Sequence, residues 1–287
     1  MRSPLGETAG WLPCAILRGA PPAMRGRRLG FLSAAMGLGL LGSLPAGALV
    51  ESFGWRAVYH VRVPPALAVL VWSAFVRAGP GEHERKPVSL ADLTRGVVMR
   101  AGALSFVARG AIFAIWLLAP FYLVDARGLG AFVGGFFFML TPLGTTVAAP
   151  LAGRLADRVG PAAPAVAGLA LEAVGLAALA VVGGSTPLAV VALALFVAGF
   201  GLGFFEVPNM TTIMTAFPAG QQGAAGGLSF LTRTLGVVTG VAVAGQIVAA
   251  RTESVGFLGA FAESLWVAAL AVAAAAVFAF AGARRRR

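Results

Sequence analysis

GFGLGFFEVPN, residues 199–209, and GAAGGLSFLTRTLGVVTG, residues 223–240, lie within one long apolar stretch between Phe196 and Ala250. Soluble proteins do not need helices this long, this apolar and this rich in glycine. Membrane helices do, because small residues let neighbouring backbones approach where lipid gives no hydrophobic drive for association. Glu206 and Arg233 are set into these segments, and charges that are costly in lipid indicate a polar interior such as a solute pathway. The pattern favours a membrane transporter over an enzyme.

The composition excludes a water-soluble domain. Hydrophobic residues make up 59% of the 287 positions and charged residues 11%, with a mean hydropathy of +0.87, whereas an average soluble domain is roughly one quarter charged. The formal net charge of +11 does not indicate a nucleic-acid partner. The basic residues sit between apolar runs, which is the pattern of cytoplasmic membrane loops.

The chemistry-bearing residues predict neither a cofactor nor an enzyme. Cys14 is the single cysteine, which excludes an internal disulfide and a multi-cysteine metal site. His60 and His83 fall in predicted loops on opposite sides of the membrane, so no metal site is expected. The sequence contains no nucleophile–base set and no phosphate-binding loop that would indicate an enzyme.

Eight segments are long and apolar enough to cross a bilayer core of about 30 Å, which needs about 20 residues per helix. The second of them is short and opens with Arg62, and the sixth carries Pro208 in its interior, which predicts a kink. The predicted spans are 29–50, 62–78, 101–123, 131–152, 162–182, 187–216, 222–248 and 262–283.

The arginines predict the orientation and the domain organisation. Of the 22 basic residues, 16 lie before the first span, in alternate loops and at the C-terminus, and 4 lie in the opposite loops. The positive-inside rule then puts both termini in the cytoplasm, which for a bacterial chain means a multi-pass inner-membrane protein. The predicted organisation is a cytoplasmic segment 1–28, two helices in 29–78, a cytoplasmic linker 79–100, a six-helix half 101–283 and a basic tail 284–287.

GRLADRVG, residues 153–160, is predicted to be a turn between two spans on the cytoplasmic side. Gly153 permits a tight exit from the helix, Asp157 can cap a helix or pair across an interface, and Arg158 can reach another helix end. The alternative is an ordinary short charged turn. The pattern from Gly153 to Gly160 resembles the signature loop of the major facilitator superfamily, where it latches the conformational change. The basic residue expected after the second glycine is replaced by PAAP, residues 161–164.

The resemblance extends over about residues 20–250. RGRRLG at 25–30 and FGWRAVYHVRVPP at 53–65 resemble the fifth and sixth helices of drug:proton antiporters in the branch that usually has fourteen spans. The later half fits that branch through PFYLV at 120–124 and the glycine-rich runs quoted above. The resemblance implies an all-α polytopic membrane protein with a partial major-facilitator fold of about eight helices. It also implies secondary active transport, by alternating access, with proton-coupled export of hydrophobic or drug-like molecules.

Four residues are candidate packing or hinge positions. In the resembling branch the fifth helix carries Gly-Pro and then Gly-Gly. Here Gly42-Ser43 and Ala46-Gly47 stand in those places, with Pro45 between them. Gly42, Pro45, Gly47 and Pro208 are therefore candidate hinges, and a closely packing helix face is the alternative for the glycines.

The same resemblance puts Met1 near the end of the fourth helix, so helices one to four would be missing. An upstream start codon, a remnant gene and two short chains that assemble are the alternatives. The expected partners are the lipid bilayer, a small hydrophobic or cationic substrate, protons as coupling ion and, for a split transporter, a second chain. A non-transporting remnant, or a membrane subunit that completes or regulates a partner, is the alternative function.

Charged residues inside the spans mark the candidate pathway. Arg109, Glu172, Glu206 and Arg233 lie at comparable depths, about 12–16 Å from the cytoplasmic ends at about 1.5 Å per residue. The resemblance places all of them except Glu172 on cavity-lining helices and puts Glu172 on a peripheral one. We hypothesise that Glu206 pairs with Arg233 or Arg109 and exchanges that partner for a proton or a cationic substrate. The alternative is a permanent structural ion pair.

Asn209 lies three residues after Glu206 and is predicted to face roughly the same side of the helix. Its amide can hydrogen-bond a substrate, or it can satisfy backbone groups freed by Pro208. The sequence leaves both interpretations open.

Overall fold

The structure is a computed structural model that describes residues 27, 30–31, 33–34, 52–54, 56–75, 92, 94–218 and 221–284. The described part of the chain is all-α. Its helices are α1 (Arg56–Phe75), α2 (Gly96–Pro120, continued by a π-helical turn over Phe121–Ala126), α3 (Ala131–Phe138), α4 (Leu140–Val159), α5 (Ala162–Ala180), α6 (Leu188–Ala216) and α7 (Gln222–Arg284).

Five segments of the described residues are long and apolar enough to cross a membrane: Gly96–Ala126, Phe132–Val159, Ala162–Ala180, Leu188–Ala216 and Gly223–Arg284. The last is 62 residues long and is broken at Gly256, whose φ of 72° and ψ of 170° are not helical. We refer to its two arms as α7a (222–255) and α7b (257–284). With α3 and α4 counted as one segment, as above, six apolar helical segments of the described residues therefore follow Arg95.

The prediction of about eight spans exceeds what the described residues show. Most of the predicted span 29–50 lies outside the described residues. Of the predicted span 62–78, the described part belongs to α1, which begins earlier, at Arg56, contains Pro64 and Pro65, and has an apolar portion of only Tyr59–Val71. Just before this helix, Gly54 has a φ of 77°, a left-handed backbone conformation that an α-helix does not contain.

Two predicted boundaries were wrong. The segment 153–160 is not a loop, because α4 continues to Val159 and Gly153 is buried inside it. Gly160 ends the helix, since its φ of 85° is a left-handed conformation that glycine adopts without strain. The predicted linker 79–100 also ends too late, because α2 begins at Gly96.

α6 is the packing centre of the bundle, and the glycines of GFGLG explain why. A methyl group built on Gly199 would overlap the backbone of Thr141 in α4, and one on Gly203 the backbone of Thr145. A methyl group on Gly201 would overlap the backbone of Glu172 in α5, on the opposite side of α6. The alternating glycines thus hold two neighbouring helices at backbone contact. Thr145 Oγ1 adds an interhelical hydrogen bond to the Gly199 carbonyl oxygen at 2.9 Å.

The second glycine-rich run packs α7a on α2. Methyl groups on Gly236 and Gly240 would overlap the backbones of Phe106 and Gly110, respectively. α7b then returns along the bundle, with Phe261 and Leu265 buried in the main apolar core. The ring of Phe261 stacks on that of Tyr122 at 5.0 Å between ring centroids.

The outer surface of the bundle is apolar, as a lipid-facing surface must be. Large hydrophobic side chains such as Leu193, Leu270 and Val277 are more than half exposed. Exposed apolar surface of this extent is a liability in water and ordinary in a bilayer.

Candidate functional site

Three helices bring one charged residue each to a single ionic cluster. Arg109 of α2 donates from Nε to Glu206 Oε1 of α6 at 3.0 Å, and its Nη2 donates to the same oxygen. Arg233 of α7a also pairs with Glu206 Oε1 through Nη2. The sequence predicted one of these arginines as the partner of Glu206, and the structure brings both together. We call Arg109, Glu206 and Arg233 the ionic cluster.

The glycine contacts position this cluster. Arg109 precedes Gly110, and Arg233 lies three residues before Gly236, so the α2–α7a crossing brings both arginines close together. Because the α2 and α7a backbones touch at this crossing, the two arginine side chains that begin beside it reach a common point. Glu206 meets them there from α6.

The electrostatics of the cluster are unbalanced. The side chains of Arg109, Glu206 and Arg233 are 19%, 13% and 27% exposed, respectively. Two guanidinium groups face one carboxylate, so the cluster carries one excess positive charge. Charges at this depth of an apolar bundle are costly unless they are paired or beside water. The partly exposed arginines form a polar place within the described part of the bundle that an anionic or hydrogen-bonding group can approach.

Asn209 serves the packing of α6 against α2. It is buried, and its Nδ2 donates to the Ala101 carbonyl oxygen at 2.9 Å and to Ser105 Oγ at 2.7 Å. Both acceptors lie on α2, and neither belongs to the backbone freed by Pro208. The predicted contact with substrate remains a prediction. Ser105 was missed by the sequence analysis, although its place four residues before Arg109 on the same helix face was a usable signal.

We expect Asn209→Ala to lower the stability of the bundle by about 1 kcal/mol, since interhelical hydrogen bonds in membranes contribute about 0.6–2 kcal/mol. Thermal unfolding in detergent measures this change. Gln246→Ala is the control, because Gln246 is exposed on α7a and should leave the unfolding temperature unchanged. Equal effects of the two variants would contradict the assignment of Asn209 to the α2–α6 contact.

The predicted latch residues lie at the end of α4 beside the N-terminal part of the chain. Asp157 Oδ2 accepts a hydrogen bond from the backbone N–H of Arg27 at 2.9 Å. Gly30 approaches the backbone of Ala149 closely. Arg158 is exposed. The sequence analysis predicted that Asp157 can pair across an interface, and in the structure its partner is the backbone of Arg27. The latch role of these residues remains a prediction.

Of the four candidate hinge residues, the structure describes only Pro208. Gly42, Pro45 and Gly47 lie outside the described residues. α6 is continuous through Pro208, and Thr212 Oγ1 donates to the Pro208 carbonyl oxygen at 3.0 Å. A hinge at Pro208 remains a prediction.

On the side of the bundle away from Gly160, Arg127 ties two turns together. Its Nη1 donates to the carbonyl oxygens of Gly183 and Thr186 at 3.2 and 2.7 Å. The same nitrogen lies 3.1 Å from the Tyr122 hydroxyl oxygen. In the sequence analysis Arg127 was one of the four basic residues of the opposite loops and had no further role. Carbonyl capping of this kind depends on the approach of two distant turns, and no local pattern indicates it.

A sequence profile described as Major Facilitator Superfamily matches residues 12–241. The chain belongs to the major facilitator superfamily. Members of this superfamily are transporters as a class, and the ionic cluster of this facilitator lies inside its helical bundle.

The facilitator is 22% identical over 311 residues to the riboflavin transporter RibZ of Clostridioides difficile (strain 630), in an alignment that covers 87% of this chain and 68% of that protein. It is 26% identical over 298 residues to the tetracenomycin C resistance and export protein of Streptomyces glaucescens, covering 82% of this chain and 55% of that one. The chain thus spans between about half and two thirds of the length of these relatives.

A solved structure shares the fold. The proton:xylose symporter XylE, bound to 6-bromo-6-deoxy-D-glucose, matches with a TM-score of 0.73 at 18% identity, over 93% of this facilitator and 66% of that chain. At this identity the match concerns the fold alone.

Proposed function

We propose that this facilitator acts in secondary active transport, as a proton-coupled exporter of hydrophobic or drug-like small molecules. The observation that carries the proposal is the ionic cluster of Arg109, Glu206 and Arg233, contributed by three helices inside an apolar bundle. Relatives named for the export of tetracenomycin C and the transport of riboflavin support an organic small molecule as cargo.

The cluster suits a mechanism of alternating access. Glu206 accepts from both arginines, so each guanidinium can leave while the other keeps the carboxylate paired. A cationic cargo group can take the place of one arginine, and the helix that carried it is then free to move. Rocking of one bundle against another around a central site gives both sides of the membrane access in turn.

The distribution of arginines supports insertion in a bacterial inner membrane with both termini in the cytoplasm. In that orientation the Gly160 turn and the Asp157–Arg27 contact lie on the cytoplasmic side. Breaking this contact would accompany opening to the cytoplasm.

The test is transport by the purified chain in liposomes. With an imposed pH gradient, uptake of the fluorescent lipophilic cation ethidium should exceed that of empty liposomes, and Glu206→Gln should lower the rate by at least about 100-fold, the loss expected when about 3 kcal/mol of a required interaction is removed. Glu263→Gln is the matched control, since Glu263 forms an exposed ion pair with Arg251 at 2.7 Å. It should transport at the wild-type rate.

A second variant separates function from folding. Glu206→Gln/Arg233→Gln removes the carboxylate while keeping one positive charge in the cluster, so it should fold better than Glu206→Gln and still not transport. Wild-type transport by this double variant would show that the cluster is a permanent structural pair. Wild-type protein that moves no ethidium would refute proton-coupled export by this chain and favour a membrane subunit that needs a partner.

A further inference from the structure

The most deeply buried charged residue of the described chain is Glu172, and the ionic cluster does not include it. Glu172 is the eleventh of the 19 residues of α5, and its exposed fraction is 0%. Among the described residues, neither Oε1 nor Oε2 has a hydrogen-bond donor. An isolated ionised carboxylate in apolar surroundings is very costly, so a side chain in this place is tolerated as the neutral acid.

The position of Glu172 couples it to the cluster. Its backbone lies against Gly201, five residues before Glu206 on α6. The charged side chains that act on it are Arg109 from α2 and Glu206 from α6. Of the other charged residues on helices packed against α5, Arg233 is held by Glu206. The remaining charged residues on these helices lie near helix ends: Arg100 and Asp125 on α2, Arg154, Asp157 and Arg158 on α4, and Arg251, Glu253, Glu263 and Arg284 on α7.

The formal charges of these four side chains sum to +1 while Glu172 holds a proton. Arg109 and Arg233 carry two positive charges against the single negative charge of Glu206. Loss of a proton from Glu172 would bring the total to zero, because one of the two guanidinium charges of the cluster has no counter-charge. A proton on Glu206, in contrast, would leave two arginines without any counter-charge.

We propose that Glu172 carries the coupling proton of this facilitator and that Arg109 moves from Glu206 to the Glu172 carboxylate when the proton leaves. The inference rests on the proposed proton-coupled transport. In the release step the Glu172 O–H bond breaks, the proton passes to water on the open side, and the remaining carboxylate accepts hydrogen bonds from the guanidinium of Arg109. Arg233 keeps Glu206 paired throughout, which explains the use of two arginines. Reloading requires water to reach Glu172, so the α5–α6 contact must loosen during the cycle.

The first measurement is spectroscopic and does not need transport. Infrared difference spectra of the purified chain between neutral and strongly alkaline buffer should show the C=O stretch of a protonated carboxyl group at neutral pH. That band should be absent from Glu172→Gln and present in Glu263→Gln. A spectrum of the wild type that lacks the band at neutral pH, or a band that persists in Glu172→Gln, would overturn the proposal.

The second measurement separates this inference from the proposed function. In liposomes, Glu172→Gln should lose uptake of ethidium driven by a pH gradient by at least 10-fold, with an unfolding temperature close to that of the wild type, because the amide resembles the neutral acid. Glu172→Met, of similar length and without polar atoms, should behave alike and keeps the test valid if the amide is not tolerated. Wild-type uptake with unaltered pH dependence in either folded variant would refute the role of Glu172. Absence of uptake by the wild type would refute the proposed function, and the infrared result would still decide whether Glu172 holds a proton.

Discussion

Glu206→Gln should lower the free energy of unfolding by about 3 kcal/mol, the lower end of the cost of breaking a buried ion pair. The reason is that Arg109 and Arg233 both pair with Glu206 Oε1, and the neutral amide leaves two like charges side by side in an apolar bundle. The lower end applies because all three side chains retain some exposure. Chemical unfolding in detergent, followed by circular dichroism, measures the change.

A double-mutant cycle identifies the cause of this loss. Glu206→Gln/Arg233→Gln should recover at least about 1 kcal/mol relative to Glu206→Gln, because one uncompensated charge has been removed and residues in one ionic network do not contribute additively. Arg251→Gln/Glu263→Gln is the matched cycle for the exposed pair, where the coupling should be much smaller than in the buried cluster because water and salt screen the charges. Additive effects in the buried cluster would show that Glu206 and Arg233 do not interact.

Gly201→Leu should prevent the bundle from folding, or lower its free energy of unfolding by at least about 3 kcal/mol, at or beyond the upper end for overpacking. The α6 backbone at Gly201 touches the α5 backbone at Glu172 and Gly168, so four added carbon atoms have no place to go. A backbone cannot withdraw as a flexible side chain can. The helices α5 and α6 would separate, and buried core side chains such as Leu169 and Leu202 would lose part of their packing.

The control for this prediction is Gly227→Leu. Gly227 lies on α7a, and a methyl group built there would meet no atom within 4 Å. The same substitution should therefore stay within about 0.5 kcal/mol of the wild type. Size-exclusion profiles and thermal melts in one detergent compare the two variants. A monodisperse Gly201→Leu protein with wild-type melting would contradict backbone contact between α5 and α6.

The amino-acid sequence by itself determined the fold class, the family and most of the helices that follow the linker. Apolar runs of about 20 residues have one stable solution in lipid, since every backbone polar group must be satisfied within the segment. The predicted span 187–216 accordingly matches α6, Leu188–Ala216. The glycines could also be recognised as packing residues, but not assigned to partners. Gly199 and Gly203 contact α4 while Gly201 contacts α5, and that division depends on which helices are neighbours.

Only the tertiary structure decided which charges meet. Depth along a helix, which the sequence supplies, put Arg109, Glu172, Glu206 and Arg233 at one level. Rotation about each helix axis, which the glycine crossings set, joined three of them and left Glu172 buried without a hydrogen-bond partner among the described residues. The same crossings turned Asn209 toward Ser105. Burial and pairing are properties of surfaces in contact, and those surfaces exist only once the helices have packed.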